Sequence, residues 1–109
     1  MTLQFRLSRI LMAMVTVTLE YTLKFRSITG KDLEKVTLED KTTIGGILEL
    51  LKLKYGDIFE KEFANPSGDK IAGAPLLLLN GRALKLPEGL NTYINDGDII
   101  TFTYAIAGG

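Results

Sequence analysis

The sequence contains no cysteine and no histidine among its 109 residues. Disulfides, thiol nucleophiles, thiolate or imidazole metal sites and the usual general base near neutral pH are therefore excluded. Acidic and basic residues balance at 13 of each, so no strong net field attracts nucleic acid or an anionic membrane. The composition predicts a protein that binds neither nucleic acid nor membrane.

Long apolar runs and the common catalytic motifs are also missing. No stretch is long enough to span a bilayer as a helix. The carboxylates and lysines form no HExxH, GxSxG or P-loop pattern, and acidic pairs such as Asp96 with Asp98 are typical of turns. These absences argue against an active site of the chain's own and predict no bound cofactor or metal.

The first part of the domain shows strict alternation of apolar and polar residues. Over residues 15–25 this pattern predicts one half-buried strand. Residues 27–32, with Gly30, predict a turn, and the apolar residues of segment 33–38 predict a second strand. We therefore expect an initial hairpin. The apolar side of its first strand is expected to carry Val17, Leu19, Tyr21, Leu23 and Phe25.

A helix is predicted next. Thr42 or Thr43 can cap its first turn, and Gly56 supplies a stop. Gly45 and Gly46 in the first turn lower helix propensity, and we attribute them to close packing of the helix on the sheet. The helical spacing is carried by Ile44, Ile47, Leu48, Leu51 and Tyr55.

The next segment predicts shorter elements. Residues 57–63 suggest a further helical turn, and residues 64–75, rich in Gly, Pro and Asn, suggest a surface loop. The apolar run 76–79 predicts a short buried strand. Asn80-Gly81 is a strong hairpin signal, so we expect residues 82–86 to return as a short strand.

A final strand leads to a pair of glycines. After a turn at residues 96–98, the run 99–106 predicts a strand, in which larger apolar residues alternate with smaller ones as far as Ala105. The sequence closes on Gly108 and Gly109, so we expect the main-chain carboxylate of Gly109 to be the most accessible functional group. Glycines there allow close approach to a catalytic backbone. Terminal glycine pairs also occur by chance and in disordered tails, so their weight depends on the fold.

This order of elements resembles the ubiquitin-like β-grasp fold, with its first and last strands parallel at the sheet centre. The resemblance implies an α+β fold in which a mixed sheet of four to five strands packs on one main helix. Four segments resemble the small subunit of molybdopterin synthase, a ubiquitin-like sulfur carrier. They are YTLKFRSITGK at 21–31, LLLNGR at 77–82, DGDI at 96–99 and the closing AGG.

The resemblance also divides the chain. Residues 14–109 correspond to the carrier domain with its Gly-Gly tail. Residues 1–13 form an N-terminal extension, which we expect to be disordered or non-native, because Met12 and Met14 directly precede the first strong strand.

The resemblance implies a sulfur carrier, the non-catalytic small subunit of a synthase complex. An adenylating enzyme of the ubiquitin-activating type would use ATP to activate the Gly109 carboxylate, which is then converted to a thiocarboxylate. Adenylation supplies the leaving group that a carboxylate lacks. The thiocarboxylate would donate sulfur for molybdopterin on the larger catalytic subunit. The implied reacting residues are Gly108 and Gly109, and the implied partner contacts are Thr22, Ala83, Thr103, Ala105, Ile106 and Ala107.

The sequence departs from the family pattern on the implied docking face. Thr22 stands where a second aromatic is common, Thr103 where a bulky apolar residue is common, and Tyr104-Ala105 where a Pro-Pro pair is common. These departures bear on which enzyme receives the sulfur. Three other functions stay open: a thiamine-thiazole sulfur carrier, a ubiquitin-like modifier joined to lysines, and a binding module with an incidental tail. We expect a cytoplasmic location, because no export signal is evident and the implied pathway uses ATP.

Overall fold

The computed structural model describes residues 13–64 and 73–105. In this part of the chain five strands form one mixed sheet. The strands are β1 (Met14–Tyr21), β2 (Leu33–Glu39), β3 (Pro75–Leu79), β4 (Arg82–Ala83) and β5 (Ile99–Tyr104). Their order across the sheet is β2-β1-β5-β3-β4.

The two strands with the clearest alternation lie side by side at the sheet centre. Strand β1 pairs in parallel with β5, with Thr18 opposite Ile99 and Tyr21 opposite Phe102. Strand β2 adds to β1 and β3 adds to β5, both antiparallel. This arrangement confirms the predicted β-grasp fold.

A helix that the sequence pattern did not predict follows β1. Helix α1 (Leu23–Thr29) replaces the expected end of the first strand and the expected turn, so placing Leu23 and Phe25 in the strand was wrong. The pairing of β1 with β2 stops at Glu20, because its partner Leu33 is the first residue of β2. Leu23 then takes a left-handed conformation (φ 50°), and the helix buries Phe25 while Leu23 stays exposed.

The main helix is α2 (Ile44–Tyr55), as predicted. The side chain of Thr43, one of the two expected caps, accepts a hydrogen bond of 3.1 Å from the Gly46 amide. Gly56 ends the helix and has a positive φ of 83°. The predicted further turn is helix α3 (Ile58–Ala64), which buries Phe59 and Glu62.

The glycines at the start of α2 are explained by contacts other than the sheet. A Cβ on Gly45 would lie 3.2 Å from the backbone oxygen of Leu90, and a Cβ on Gly46 would lie 2.9 Å from Cγ2 of Thr42. The expectation that they permit helix–sheet packing was therefore wrong. They let α2 approach the segment around Leu90 and its own leading turn.

The hairpin after β3 turns at Asn80-Gly81, as predicted, but its return strand is shorter than expected. Strand β4 covers Arg82–Ala83 instead of residues 82–86. The Leu84 amide still donates to Leu77, but the Gly89 amide then donates to Lys85 as the chain coils into a 3-10 helix (Glu88–Asn91). No helix in the described ranges is long and apolar enough to cross a membrane.

All three helices contribute to a core on one face of the sheet. Within it, aromatic rings from β1, α1, α3 and β5 lie with centroids between 5.1 and 6.2 Å apart. Such pairs add specific orientation to the burial of apolar area. The rings belong to Tyr21, Phe25, Phe59, Phe63, Phe102 and Tyr104.

Candidate functional site at the tail exit and the open sheet face

The predicted reacting residues lie just beyond the part of the chain that the structure describes. Residues 106–109, which include Ile106, Ala107 and both terminal glycines, are outside it. The last described residue, Ala105, is exposed, and its amide donates a 2.8 Å hydrogen bond to the Ala74 carbonyl. The chain is therefore held beside the start of β3 up to this residue.

The face of the sheet opposite the helices carries two of the predicted partner contacts, Ala83 and Thr103, and Thr22 and Ala105 adjoin it at the ends of β1 and β5. We call this face the open face. Because successive side chains of a strand point to opposite sides, the residues that alternate with the buried ones lie on this face. The open face comprises Leu33, Lys35 and Thr37 of β2, Thr16, Thr18 and Glu20 of β1, Ile99, Thr101 and Thr103 of β5, Leu76 and Leu78 of β3, and Ala83 of β4.

Two of the predicted contact residues touch each other. The Thr22 hydroxyl donates to Oγ1 of Thr103 over 2.9 Å, and both side chains are half-buried. The Thr22 amide also donates to the Phe102 carbonyl, which extends the β1–β5 pairing by one residue. Threonine at both positions thus closes the end of the central strand pair with a polar contact.

The open face is divided into a polar and an apolar half. Next to the Thr22–Thr103 pair, the Thr101 hydroxyl donates to Glu20 over 2.8 Å. The apolar half consists of Ile99 at the start of β5 and, beyond β5, the half-buried Leu76 and Leu78 of β3. Ala83 is exposed and lies opposite Leu78, so β3 separates it from the two threonines.

The family resemblance implied no contact role for the apolar residues of this face. Leu76 and Leu78 belong to a continuous apolar run, in which no alternation shows which side chains point outward. The alternation of β5 is a signal that could have identified Ile99 as facing outward. In the structure Ile100 is buried and Ile99 is 40% exposed.

A buried carboxylate lies under the tail exit. Glu62 on α3 is 4% exposed, and its Oε1 accepts a 3.1 Å hydrogen bond from the hydroxyl of Tyr104, the last residue of β5. Its Oε2 forms a 2.8 Å ion pair with Lys24 on α1. The cluster joins three elements around the point where the tail leaves. No local sequence pattern predicts this cluster, because Glu62 and Tyr104 are 42 residues apart.

A second buried carboxylate lies at the C-terminal end of α2. The Glu34 side chain is 7% exposed and accepts hydrogen bonds from Tyr21 (2.7 Å) and Tyr55 (2.9 Å). Lys31 pairs with it at 3.1 Å, and Lys54 also contacts it.

The charge states in this second cluster follow from its contacts. Burial opposes the charged form of Glu34, but hydrogen bonds from the two lysines and two tyrosines outweigh it and lower its pKa to about 2. Burial, reinforced by the Glu34 carboxylate, raises the pKa of Tyr21, and the hydrogen bond with Glu34 raises the pKa of Lys31. The cluster is a fixed ionic contact that ties β1 and β2 to α2.

A groove of about 270 Å³ lies on the helix side of the domain. It contains none of the predicted site residues, so it is separate from the open face. Its apolar walls are Leu48, Phe59, Phe63, Leu86 and Leu90, and its lining also includes Gly45, Glu49, Lys52 and Glu60.

Comparisons with solved structures find the same fold. A Pyrococcus furiosus protein described as molybdopterin converting factor subunit 1 is 22% identical, with 84% of this chain and 99% of that chain covered and a TM-score of 0.65. The small archaeal modifier protein 1 (SAMP1) of Methanosarcina acetivorans is 24% identical, with coverages of 88% and 98% and a TM-score of 0.63.

A complex of subunits 1 and 2 of molybdopterin-converting factor from Helicobacter pylori also matches, at 18% identity, coverages of 87% and 100% and a TM-score of 0.53. At these identities the likeness establishes the fold alone. The comparison with curated proteins gave no match.

A family model assigns the chain to a family, which the structural likeness alone does not do. The model described as the ThiS family matches residues 19–109, which is most of the chain. The match begins near the end of β1 and runs to the last residue, so it covers all of β5 and the terminal glycines. The chain therefore belongs to the ThiS family.

Proposed function

We propose that the chain is a sulfur carrier for molybdopterin synthesis whose working group is the Gly109 carboxylate. The observation that carries this proposal is that the family match extends through Gly108 and Gly109. The tail also follows directly from β5, a central strand of the sheet. A rigid strand is therefore the base from which the terminal carboxylate is presented.

The proposed chemistry occurs on the carboxylate and is catalysed by partners. A Gly109 carboxylate oxygen attacks the α-phosphorus of ATP bound to an adenylating enzyme, and pyrophosphate leaves. A sulfide-level donor then attacks the carbonyl carbon, and AMP leaves with the original oxygen. Because AMP is a better leaving group than oxide, the mixed anhydride accepts sulfur where the carboxylate does not. The carrier needs no bound cofactor or metal for these steps.

The open face is the proposed docking surface for the larger catalytic subunit. It adjoins the tail exit, since Thr103 lies two residues before Ala105. Its apolar half, with Leu76, Leu78 and Ile99, supplies area that a partner can bury. Its polar half calls for a partner with hydrogen-bonding groups opposite Thr22 and Glu20. The Helicobacter pylori complex, in which a protein of this fold is bound to a second subunit, supports a partner of this kind.

The proposal is tested by the intact mass of the protein after incubation with ATP, sulfide and an adenylating enzyme from the same source. We expect a mass gain equal to the exchange of one oxygen for sulfur. A variant lacking Gly109 is the matched control and should gain nothing. An unchanged mass of the full chain, in a reaction that converts a known carrier, would contradict the proposal.

Protein modification is the second candidate, favoured by the likeness in fold to SAMP1. Both functions share the acyl adenylate and differ in the nucleophile that follows it. In a modifier, a substrate lysine would attack Gly109 and release AMP. A ladder of covalent conjugates in extract, dependent on ATP and on Gly109, would favour this candidate over sulfur transfer.

A further inference from the structure

Tyr104 occupies the junction between the folded domain and the tail. It is the last residue of β5, opposite Pro75, and lies five residues before Gly109. Its side chain is 4% exposed and points into the core, where the ring stacks on Phe25 with centroids 5.1 Å apart. The residue is therefore held on its inner side while the next residue, Ala105, is exposed.

The Tyr104 hydroxyl takes part in a contact that packing alone does not require. A phenylalanine ring would fill the same space and keep the stack on Phe25. The hydroxyl instead donates to the Glu62 carboxylate, which is itself buried and paired with Lys24. Removing a carboxylate from water is costly, and a buried ionic contact adds little stability over an apolar replacement. What such a contact does provide is one preferred geometry.

The elements that meet at this contact surround the tail exit. Lys24 lies on α1, directly after Thr22 and Leu23, and Glu62 lies on α3. The contact thus links the end of β5 to both short helices. On the opposite side of β5, the Thr22–Thr103 pair fixes the neighbouring residue, and the Ala105 amide is bonded to Ala74.

We infer that Tyr104, Glu62 and Lys24 form an anchor that positions the base of the tail for delivery of the terminal carboxylate. This inference rests on the proposed function of Gly109. Tyr104 is assigned as a positioning residue, which acts on the tail through the end of β5. By holding the last strand residue in one place, the anchor reduces the ordering that the tail must undergo when it enters a partner's active site.

The test uses the full chain carrying Tyr104→Phe, which removes only the hydroxyl. Tyr93→Phe is the matched control, because it makes the same chemical change at a residue that is 61% exposed. Amide hydrogen exchange is followed by NMR at Ala105, next to the anchor, and at Thr18, whose amide donates to Asp98 within the central strand pair. Steady-state adenylation of each variant is measured in parallel.

We expect Tyr104→Phe to accelerate exchange at Ala105 by about tenfold and to leave Thr18 unchanged. In adenylation the KM for the carrier should rise about three- to tenfold with kcat unchanged, because the bound tail is held by the enzyme. Tyr93→Phe should change neither quantity.

Unchanged exchange at Ala105, or equal acceleration at Ala105 and Thr18, would overturn the anchor. A fall in kcat with constant KM would also overturn it. Exchange is measured without any partner, so it decides the anchor even if wild-type protein is not adenylated, an outcome that would remove the proposed function.

Discussion

At the scale of single residues, the carboxylates of Glu62 and Glu34 have different surroundings. Glu62 has one lysine partner, which is half exposed, and one tyrosine. Glu34 is enclosed by two lysines and two tyrosines. Its contacts join the start of β2 to the end of α2, so it connects the sheet to the helix that covers it.

We expect Glu34→Gln to lower the free energy of unfolding by about 2 kcal/mol, because the amide cannot replace the charged hydrogen bonds of a buried carboxylate. Urea unfolding followed by far-UV circular dichroism measures this change. Glu49→Gln on the exposed side of α2 is the matched control, expected within about 0.5 kcal/mol of wild type. Equal losses in both variants would contradict the role assigned to Glu34.

The ionisation of Glu34 also makes the stability of the folded protein depend on pH in the acid range. Its pKa is about 2 in the folded protein against an ordinary value of 4.5, so the stabilisation is fully present above pH 4.5. It is lost as the pH falls from 4.5 towards 2, since the unfolded chain takes up the proton first. Glu34→Gln should flatten this part of the stability curve. A variant curve parallel to that of wild type would count against the cluster.

At the scale of elements, the turn between β3 and β4 is hydrogen-bonded to the first residue of β5. Asn80 takes a left-handed conformation (φ 51°), and its Oδ1 accepts a 2.8 Å hydrogen bond from the Ile99 amide. Its Nδ2 donates to Asp98 at 2.9 Å, and the Asp98 carboxylate also accepts from the Asn95 amide. One side chain therefore sets the register between the hairpin and the last strand.

We expect Asn80→Ala to destabilise the protein by about 2–3 kcal/mol, because it removes both hydrogen bonds and is disfavoured at positive φ. The midpoint of urea unfolding measures the loss. Asn91→Ala, at an exposed position in the 3-10 helix, serves as the control and should have little effect. If Asn80→Ala were as stable as this control, the turn would not depend on its side chain.

At the scale of the whole molecule, the domain has two different sides. Helices cover one face of the sheet, and the open face is the opposite one. The tail exit lies at the end of β5, where the Ala105 amide donates to the Ala74 carbonyl. This separation predicts that a partner receiving the tail docks on the open face and leaves the outer surface of α2 free.

We expect Ile99→Lys on the open face to raise the Kd for the larger catalytic subunit at least about tenfold, because it places a charge in the apolar half of the surface. Leu53→Lys on α2, where the leucine is 86% exposed, is the control and should bind as wild type. Calorimetric titration measures both, after thermal unfolding confirms that each variant folds. The reverse pattern would place docking on the helix side.

Much of this fold follows from the sequence because its signals are local. Alternation predicted a first strand over residues 15–25, of which β1 confirms Val15 to Tyr21, and a last strand over residues 99–106, of which β5 confirms Ile99 to Tyr104. Helical spacing with Thr43 and Gly56 predicted α2. Helix α1 was missed because the alternation of apolar and polar residues, which predicts a strand, continues through Phe25. The choice between strand and helix depends on where β2 begins to pair, which is a long-range contact.

The sequence by itself determined the terminal glycines, the absence of thiol and imidazole chemistry, and the periodicities of the central strands and main helix. These depend on residue type and spacing along the chain. Only the tertiary structure decided which side chains share the open face and which groups enclose Glu34 and Glu62. Glu62 meets Tyr104 across 42 residues and Thr22 meets Thr103 across 81, so these contacts exist only after the sheet has assembled.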